Sequence, residues 1–174
     1  MNSFRISTVI IITLISTLSF SQHTYLPGYL IQLNGDTTNG YIDYRNWKLN
    51  PEVIMFNPNE KGLPTRFFPE SIRGFAVDGA IYESAVVDRE GYLNSFGRQK
   101  FDPVVSTVRD TVFLKTLIDG DKSLLYLRGN DGIDQYYIKQ GQTYSLLLYK
   151  RYLKIQDGRT GYMENKTYIG QLIE

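Results

Sequence analysis

Residues 25–45 read YLPGYLIQLNGDTTNGYIDYR, two apolar runs of period two hinged on Asn34-Gly35. Strand side chains alternate between two faces, so this period marks a half-buried strand. Asn-Gly between two such runs is a strong hairpin signal, because a two-residue turn needs positive φ at both central positions. The spacing predicts Leu33 opposite Asp36, Ile31 opposite Thr38 and Tyr29 opposite Gly40. Tyr29, Ile31, Leu33, Ile42 and Tyr44 then share one face, and Gln32, Asn39 and Asp43 fall on the other.

The same logic recurs downstream. In RGFAVDGAIYESAVV, Asp78-Gly79 sets Val77 opposite Ala80 and Phe75 opposite Tyr82. In VFLKTLIDGDKSLLYLRG the turn falls on Asp119-Gly120 or Gly120-Asp121, two registers that keep every side chain on its face. Leu114, Ile118, Leu125 and Leu127 take the core side, and Lys115, Lys122 and Arg128 share the other with Phe113 and Tyr126. A fourth turn at Gln140-Gly141 places Tyr137 opposite Tyr144, which makes residues 112–149 a four-stranded antiparallel meander.

Between the hairpins the pattern is weaker. Asn50-Pro51 and Asn57-Pro58 bracket a short strand, EVIMF, and Pro64 with Pro69 frames another at Thr65 to Phe68. Pro69-Glu70-Ser71-Ile72 suits a single helical turn, since Pro is tolerated at the first helical position. Residues 88–107, with Gly91, Gly97 and Pro103, read as a long loop. The fold class expected is mainly β: antiparallel hairpins and a meander closing into a small barrel or two-layer sandwich, with at most one short helical turn after the N-terminal segment.

That N-terminal segment, MNSFRISTVIIITLISTLSFS, has a positive start at Arg5 and an apolar centre from Ile6 to Phe20. It ends in the small-x-small run Ser19-Phe20-Ser21 that a signal peptidase accepts. The apolar run is shorter than the ~20 residues a spanning helix needs. Residues 1–21 are therefore read as a signal peptide and 22–174 as one β-rich domain, exported to the periplasm, the outer membrane or the cell exterior, with no transmembrane segment in the exported part. The chain has no Cys, which excludes a lipoprotein anchor and leaves the exported fold to its core rather than to disulfides.

Composition narrows the chemistry. Lys and Arg number 19 against 18 Asp and Glu, so no electrostatic case exists for a nucleic-acid partner. His23 is the only His and follows the expected cleavage site closely, which argues against His-dependent nucleophilic systems and ordinary zinc sites. Asp119, Asp121 and Ser123 imitate the start of a calcium loop, but Leu124 stands where Gly is needed and Asn130 where a bidentate Glu is needed. In Gly120-Asp121-Lys122-Ser123, Asp121 interrupts the Gly-Lys pair of a phosphate loop and Lys115 replaces its first Gly, so no nucleotide is expected. Asp43, Glu52, Glu83 and Asp134 could supply paired carboxylates, yet no motif links them. Asn165-Lys166-Thr167 forms a glycosylation sequon. No catalytic residue, metal or cofactor is expected.

Fourteen Tyr and nine Phe are the compositional excess. Aromatics fit pleated half-buried surfaces, and they also make faces for sugar rings or partner proteins. Trp47, in Tyr44-Arg45-Asn46-Trp47-Lys48, has polar neighbours on both sides. Strand alternation carried through it would expose the ring beside Tyr41 and Arg45 as a binding trio, whereas a ring folded back over the sheet end would plug the core.

Residues 28–47, GYLIQLNGDTTNGYIDYRNW, resemble a family of uncharacterised Gram-negative envelope proteins that open, after a signal, with GYI-x-L-x-G-D-T-x-x-G-x-I-x-Y-R-N-W. The similarity continues through PESIRGFAVDGAIYESAVV and VFLKTLIDGDKSLLYL to YIGQL at Tyr168–Leu172. The resemblance implies export and a β-rich N-terminal module, with no established activity; similar proteins often continue past this run, sometimes into an outer-membrane barrel. Some carry a tRNA-modifying GTPase label, against which the missing phosphate loop and the export signal both argue. The expected role is a non-enzymatic binding or structural module for an envelope component or protein. The alternatives are a carbohydrate-binding module using exposed aromatics and, behind it, a carboxylate-dependent hydrolase.

Mass spectrometry of the protein recovered from the envelope is expected to show Gln22, free or cyclised, as its first residue; an intact Met1 there would refute cleavage.

Overall fold

Short polar turns between β-branched and aromatic runs produce an antiparallel β structure, described by the computed structural model over residues 25–59, 62–91 and 100–173. The expected signal peptide and the cleavage site before Gln22 lie outside the described residues. The elements are β1 (Tyr25–Ile31), β2 (Thr37–Asp43), β3 (Ile54–Asn57), β4 (Thr65–Phe67), a 3₁₀ turn at Pro69–Ser71, β5 (Gly74–Val77), β6 (Ala80–Glu90) and β7 (Thr107–Ile118). There follow β8 (Lys122–Arg128), β9 (Asp134–Gln140), β10 (Thr143–Leu146), β11 (Lys150–Gln156), β12 (Arg159–Asn165) and helix α1 (Tyr168–Ile173). Among the described residues, ten strands form one curled sheet in the order β10-β9-β8-β7-β6-β5-β1-β2-β3-β4, and β11 pairs only with β12. The mainly β class stands, as a half-barrel. The 3₁₀ turn lies where Pro69 placed it, and α1 is a second short helical element.

The long β6–β7 pair organises the core. Tyr82 lies opposite Lys115 and Ala85 opposite Val112, without a register shift from Tyr82 to Glu90. Alternation therefore puts Tyr82 and Phe113 on one face, and Ala85, Val87 and Leu114 on the other. Each face is buried in its own core. Tyr82 and Phe113 pack with Leu30, Ile42, Ile54, Phe56, Ile72, Phe75 and Val77. Ala85, Val87 and Leu114 pack with Leu125, Leu127 and Tyr137. Gly28 and Gly40 face each other across β1 and β2, where a Cβ on Gly28 would strike the Ala76 carbonyl and one on Gly40 the Phe56 ring.

β6 pairs with β5 only from Ala80 to Glu83. Beyond that point its edge is bridged to β9 by side chains. Lys139 Nζ bonds Glu83 at 2.5 Å, Tyr137 Oη donates to Asp88 O at 3.3 Å, and Glu90 N donates to Gln135 Oε1 at 2.6 Å. Gln135, Tyr137 and Lys139 sit on one face of β9, so a single alternating row closes the half-barrel.

Two expectations hold closely. Asp78 and Gly79 take positive φ (51° and 72°), with Val77 opposite Ala80 and Phe75 opposite Tyr82. The meander over residues 112–149 forms β7 to β10, its first turn in the later of the two registers: Lys115 faces Tyr126, with an irregularity between Thr116 and Ile118. The last turn moves to Gly141-Gln142, so Tyr137 faces Leu146, a two-residue shift that preserves the faces.

Other expectations need correction. The first hairpin closes through three residues, Leu33 to Gly35: Gln32 N donates to Asp36 O at 2.8 Å, and Ile31 faces Thr37. Asn34 Oδ1 accepts from Asp36 N at 2.9 Å, and only Gly35 takes positive φ. That one-residue shift turns β1 over. Leu30, not Tyr29 or Ile31, joins Ile42 in the core, and Leu33 is 57% exposed. Ile118 also leaves the core, at 59% exposure, because the irregularity lies between it and Thr116. Phe113 is on the face expected but is buried there. The long loop shrinks at both ends: β6 runs to Glu90 and β7 starts at Thr107, paired by Asp88–Arg109 and Arg89–Asp110 ion pairs rather than by an apolar stripe.

Asn50 ties the segment between β2 and β3 to the backbones of β7 and β8. Its Nδ2 donates to Phe113 O and Tyr126 O, each at 2.9 Å, and its Oδ1 accepts from Arg128 N at 3.0 Å. Its backbone N donates to Arg128 O at 2.8 Å. Asn50→Ala would strand these buried groups and is expected to cost about 3 kcal/mol in urea unfolding. A loss below ~0.5 kcal/mol, the range of ordinary surface sites, would contradict this role.

Candidate functional site

The proposed binding trio does not converge. Trp47 folds back over the first core, its ring edge-on to Tyr44 (4.9 Å between centroids), Phe75 (5.9 Å) and Tyr82 (5.9 Å). Tyr41 alternates with core-facing Ile42, so it points from the opposite face of β2, beside Pro27 and Asn57. Arg45 is exposed and pairs with buried Asp43 at 2.9 Å. The chain leaves β2 after Asp43, so strand alternation no longer governs Trp47. Trp47 is half-buried among these rings, and burial carries the Tyr82 hydroxyl up to about 12.

A large concavity lies elsewhere among the described residues, as an open groove of about 960 Å³ between β8–β9 and the β11–β12 hairpin with α1. One wall is built on β8 and β9. Tyr126 Oη donates to Asp134 at 2.5 Å, and the Tyr126 and Tyr136 rings lie 5.4 Å apart at 51°. Leu124, Asp134 and Tyr136 reach the groove, with Tyr136 41% exposed.

The facing wall comes from a part of the chain that sequence reading left unassigned. Asp157-Gly158 makes a tight turn with φ of 51° and 73°, pairing Gln156 with Arg159 and extending β11 against β12. Lys150 and Asn165 pair at the hairpin base, where Lys150 Nζ donates to Val104 O (2.6 Å) and Asn165 Nδ2 to Pro103 O (2.8 Å). Asn165 Oδ1 also accepts from Thr167 N and Oγ1, so the sequon residues form the bend into α1. From α1, Gln171 Nε2 donates to Leu146 O at 2.8 Å and its Oε1 accepts from Leu148 N at 2.9 Å.

Tyr149, Tyr152, Tyr162 and Tyr168 line this wall. Tyr149 Oη donates to Glu164 at 3.1 Å, and Lys166 Nζ lies 2.7 Å from the same carboxylate. Lys166, then Tyr149, hold Glu164 below the usual carboxylate range, while Glu164 raises Lys166. Desolvation and then Glu164 raise Tyr149. The Arg151 guanidinium stands 4.9 Å over the Tyr162 ring. Gln135 also lines the groove at 3% exposure; its Oε1 is engaged, and its Nε2 has no hydrogen-bond partner among the described residues.

Half of the fourteen tyrosines fall within residues 136–168, a clustering that could have pointed to this groove. Among the described residues, no group of three His, Asp or Glu could hold a metal ion, and no helix is long and apolar enough to cross a membrane. Compared with family models, curated proteins and solved structures, the chain matches none.

The Trp47 contacts are tested by Trp47→Ala. As a ring packed on three aromatics it is expected to cost about 3 kcal/mol in denaturant unfolding. Stability changed by less than ~0.5 kcal/mol would return Trp47 to the surface.

Proposed function

We propose that this protein is an exported, non-enzymatic module of the cell envelope that binds its ligand in the tyrosine-lined groove between β8–β9 and β11–β12. The observation that carries the reading is the groove itself: about 960 Å³, bounded by rings on both walls, with a few charged groups among them. Ligand sites are concave, mostly apolar and set with a small number of oriented polar groups, and this groove has that make-up. Export rests on residues 1–21, read as a signal peptide. A hydrolytic role draws little support: Glu164 and Asp134, two of the three carboxylates lining the groove, are held by Lys166 and Tyr149 and by Tyr126 and Arg128.

Photocrosslinking in a Gram-negative host exporting the full chain tests this reading. With Tyr162→benzoylphenylalanine, an envelope component is expected to be captured, and the same probe at Val86, exposed on β6 outside the groove, should capture little. Equal yields from the two positions would refute the groove as the binding site.

A further inference from the structure

Resting on that reading, we infer that the groove takes a neutral glycan chain, its sugar rings stacked on Tyr136 and Tyr162 and its hydroxyls met by the polar groups between them. Four features on the two walls lead there.

The rings are presented rather than buried: Tyr136 is 41% and Tyr162 66% exposed. Tyr136 is backed by the Tyr126 ring, whose hydroxyl is tied to Asp134, and Tyr162 by the Arg151 guanidinium. A ring pinned from one side loses little freedom when a ligand covers the other, which favours stacking. The C–H face of a pyranose is the apolar surface a tyrosine face complements, while its rim carries hydroxyls that need hydrogen-bond partners.

The charges nearly cancel. Lys100, Lys150, Arg151 and Lys166 stand against Glu90, Asp134 and Glu164 along the groove. Lys150 is turned to the Val104 carbonyl, and Lys166 pairs with Glu164. No single-sign field remains to attract an acidic polysaccharide or a basic peptide.

The sheet wall offers no free backbone. β9 is paired on both sides, by β8 and β10. Past β10, Leu147 N donates to Tyr136 O, and Gln171 takes Leu146 O and Leu148 N. An extended peptide is usually held by main-chain bonds to a strand edge, which this wall lacks. On this wall recognition falls to side chains, the way a glycan is read.

Finally, Gln135 Nε2 is a donor in need of an acceptor. A buried amide left unpaired is costly, and a ligand hydroxyl oxygen reached by a small shift of the groove lining would satisfy it.

The test is titration of the purified full chain against an array of neutral oligosaccharides (hexoses and N-acetylhexosamines), with polygalacturonate and an octapeptide pool alongside. At least one neutral oligosaccharide is expected to bind. Tyr136→Ala and Tyr162→Ala should each weaken it about tenfold, the upper reach of one ring contact, with thermal midpoints lowered by no more than a few degrees. Tyr136→Phe and Tyr162→Phe, which keep the ring face, should bind within about threefold of the parent. Neutral oligosaccharides that bind equally well to both alanine variants would place the glycan outside the groove and overturn the inference. Binding of the polygalacturonate or peptides alone, or of nothing, would overturn it too. If crosslinking at position 162 still captures a protein, the groove reading survives while the glycan inference falls.

Discussion

One strand pair with both faces buried governs the rest of the structure. Tyr82 and Phe113 alternate with Ala85, Val87 and Leu114 on β6 and β7, and the two sets feed different cores where the pair is covered on both faces, short of exposed Val86. A slip of one residue would turn Ser84 and Val86 toward the half-barrel interior and Ala85 and Val87 out of it. Register is thus specified from both sides, more strongly than in a sheet with one solvated face. The first core is built by β1 to β5 and the segment carrying Trp47 and Asn50; the second is enclosed by the meander. Neither part can bury its apolar face without the shared pair.

The sharing leaves a seam. β6 gives its hydrogen-bonding edge to β5 for four residues and then, among the described residues, has no strand there, while β10 ends the sheet on the other side. An unpaired edge invites foreign strands unless it is covered. Here it is covered by the row Gln135, Tyr137 and Lys139, which reaches to Glu90, Asp88 and Glu83. Side-chain bonds are fewer than a ladder would supply, and the shortfall shows in Glu83 Oε1 and Gln135 Nε2, buried without partners among the described residues. A polar seam in a low-dielectric setting is strong where it is satisfied and costly where it is not. The unsatisfied amide of Gln135 lies where the seam meets the groove.

What could be read from the chain follows how local the determinant is. Asp78-Gly79 sets its turn by backbone sterics alone, and the hairpin around it formed as spaced. Asn34-Gly35 carries an equal signal, but Asn34 spends its side chain on Asp36 N, which lengthens the turn and turns β1 over. Both phases of β1 are apolar, Leu26 and Leu30 in one, Tyr29 and Ile31 in the other, so alternation could not arbitrate. Trp47 was undecided for a related reason: its polar neighbours describe its own segment, whereas its burial depends on Phe75 and Tyr82 far along the chain. The groove was least legible. Its walls come from β8–β9 and from a hairpin whose alternation is mostly polar, and only the Asp157-Gly158 dipeptide and the crowding of tyrosines marked it.

That hairpin also explains why the groove has a definite shape. A two-stranded ribbon is marginal alone, and β11–β12 buries little of its own surface. Its position is therefore set at its base, by Lys150 on Val104, Asn165 on Pro103, and Gln171 of α1 bonding both sides of Leu147. The three anchors fix where the hairpin leaves the body of the fold, while the strands beyond them are held by their own ladder. The wall so formed is anchored beside Tyr149 and Tyr168, and Tyr162 and the Asp157-Gly158 tip lie beyond those anchors along the ladder.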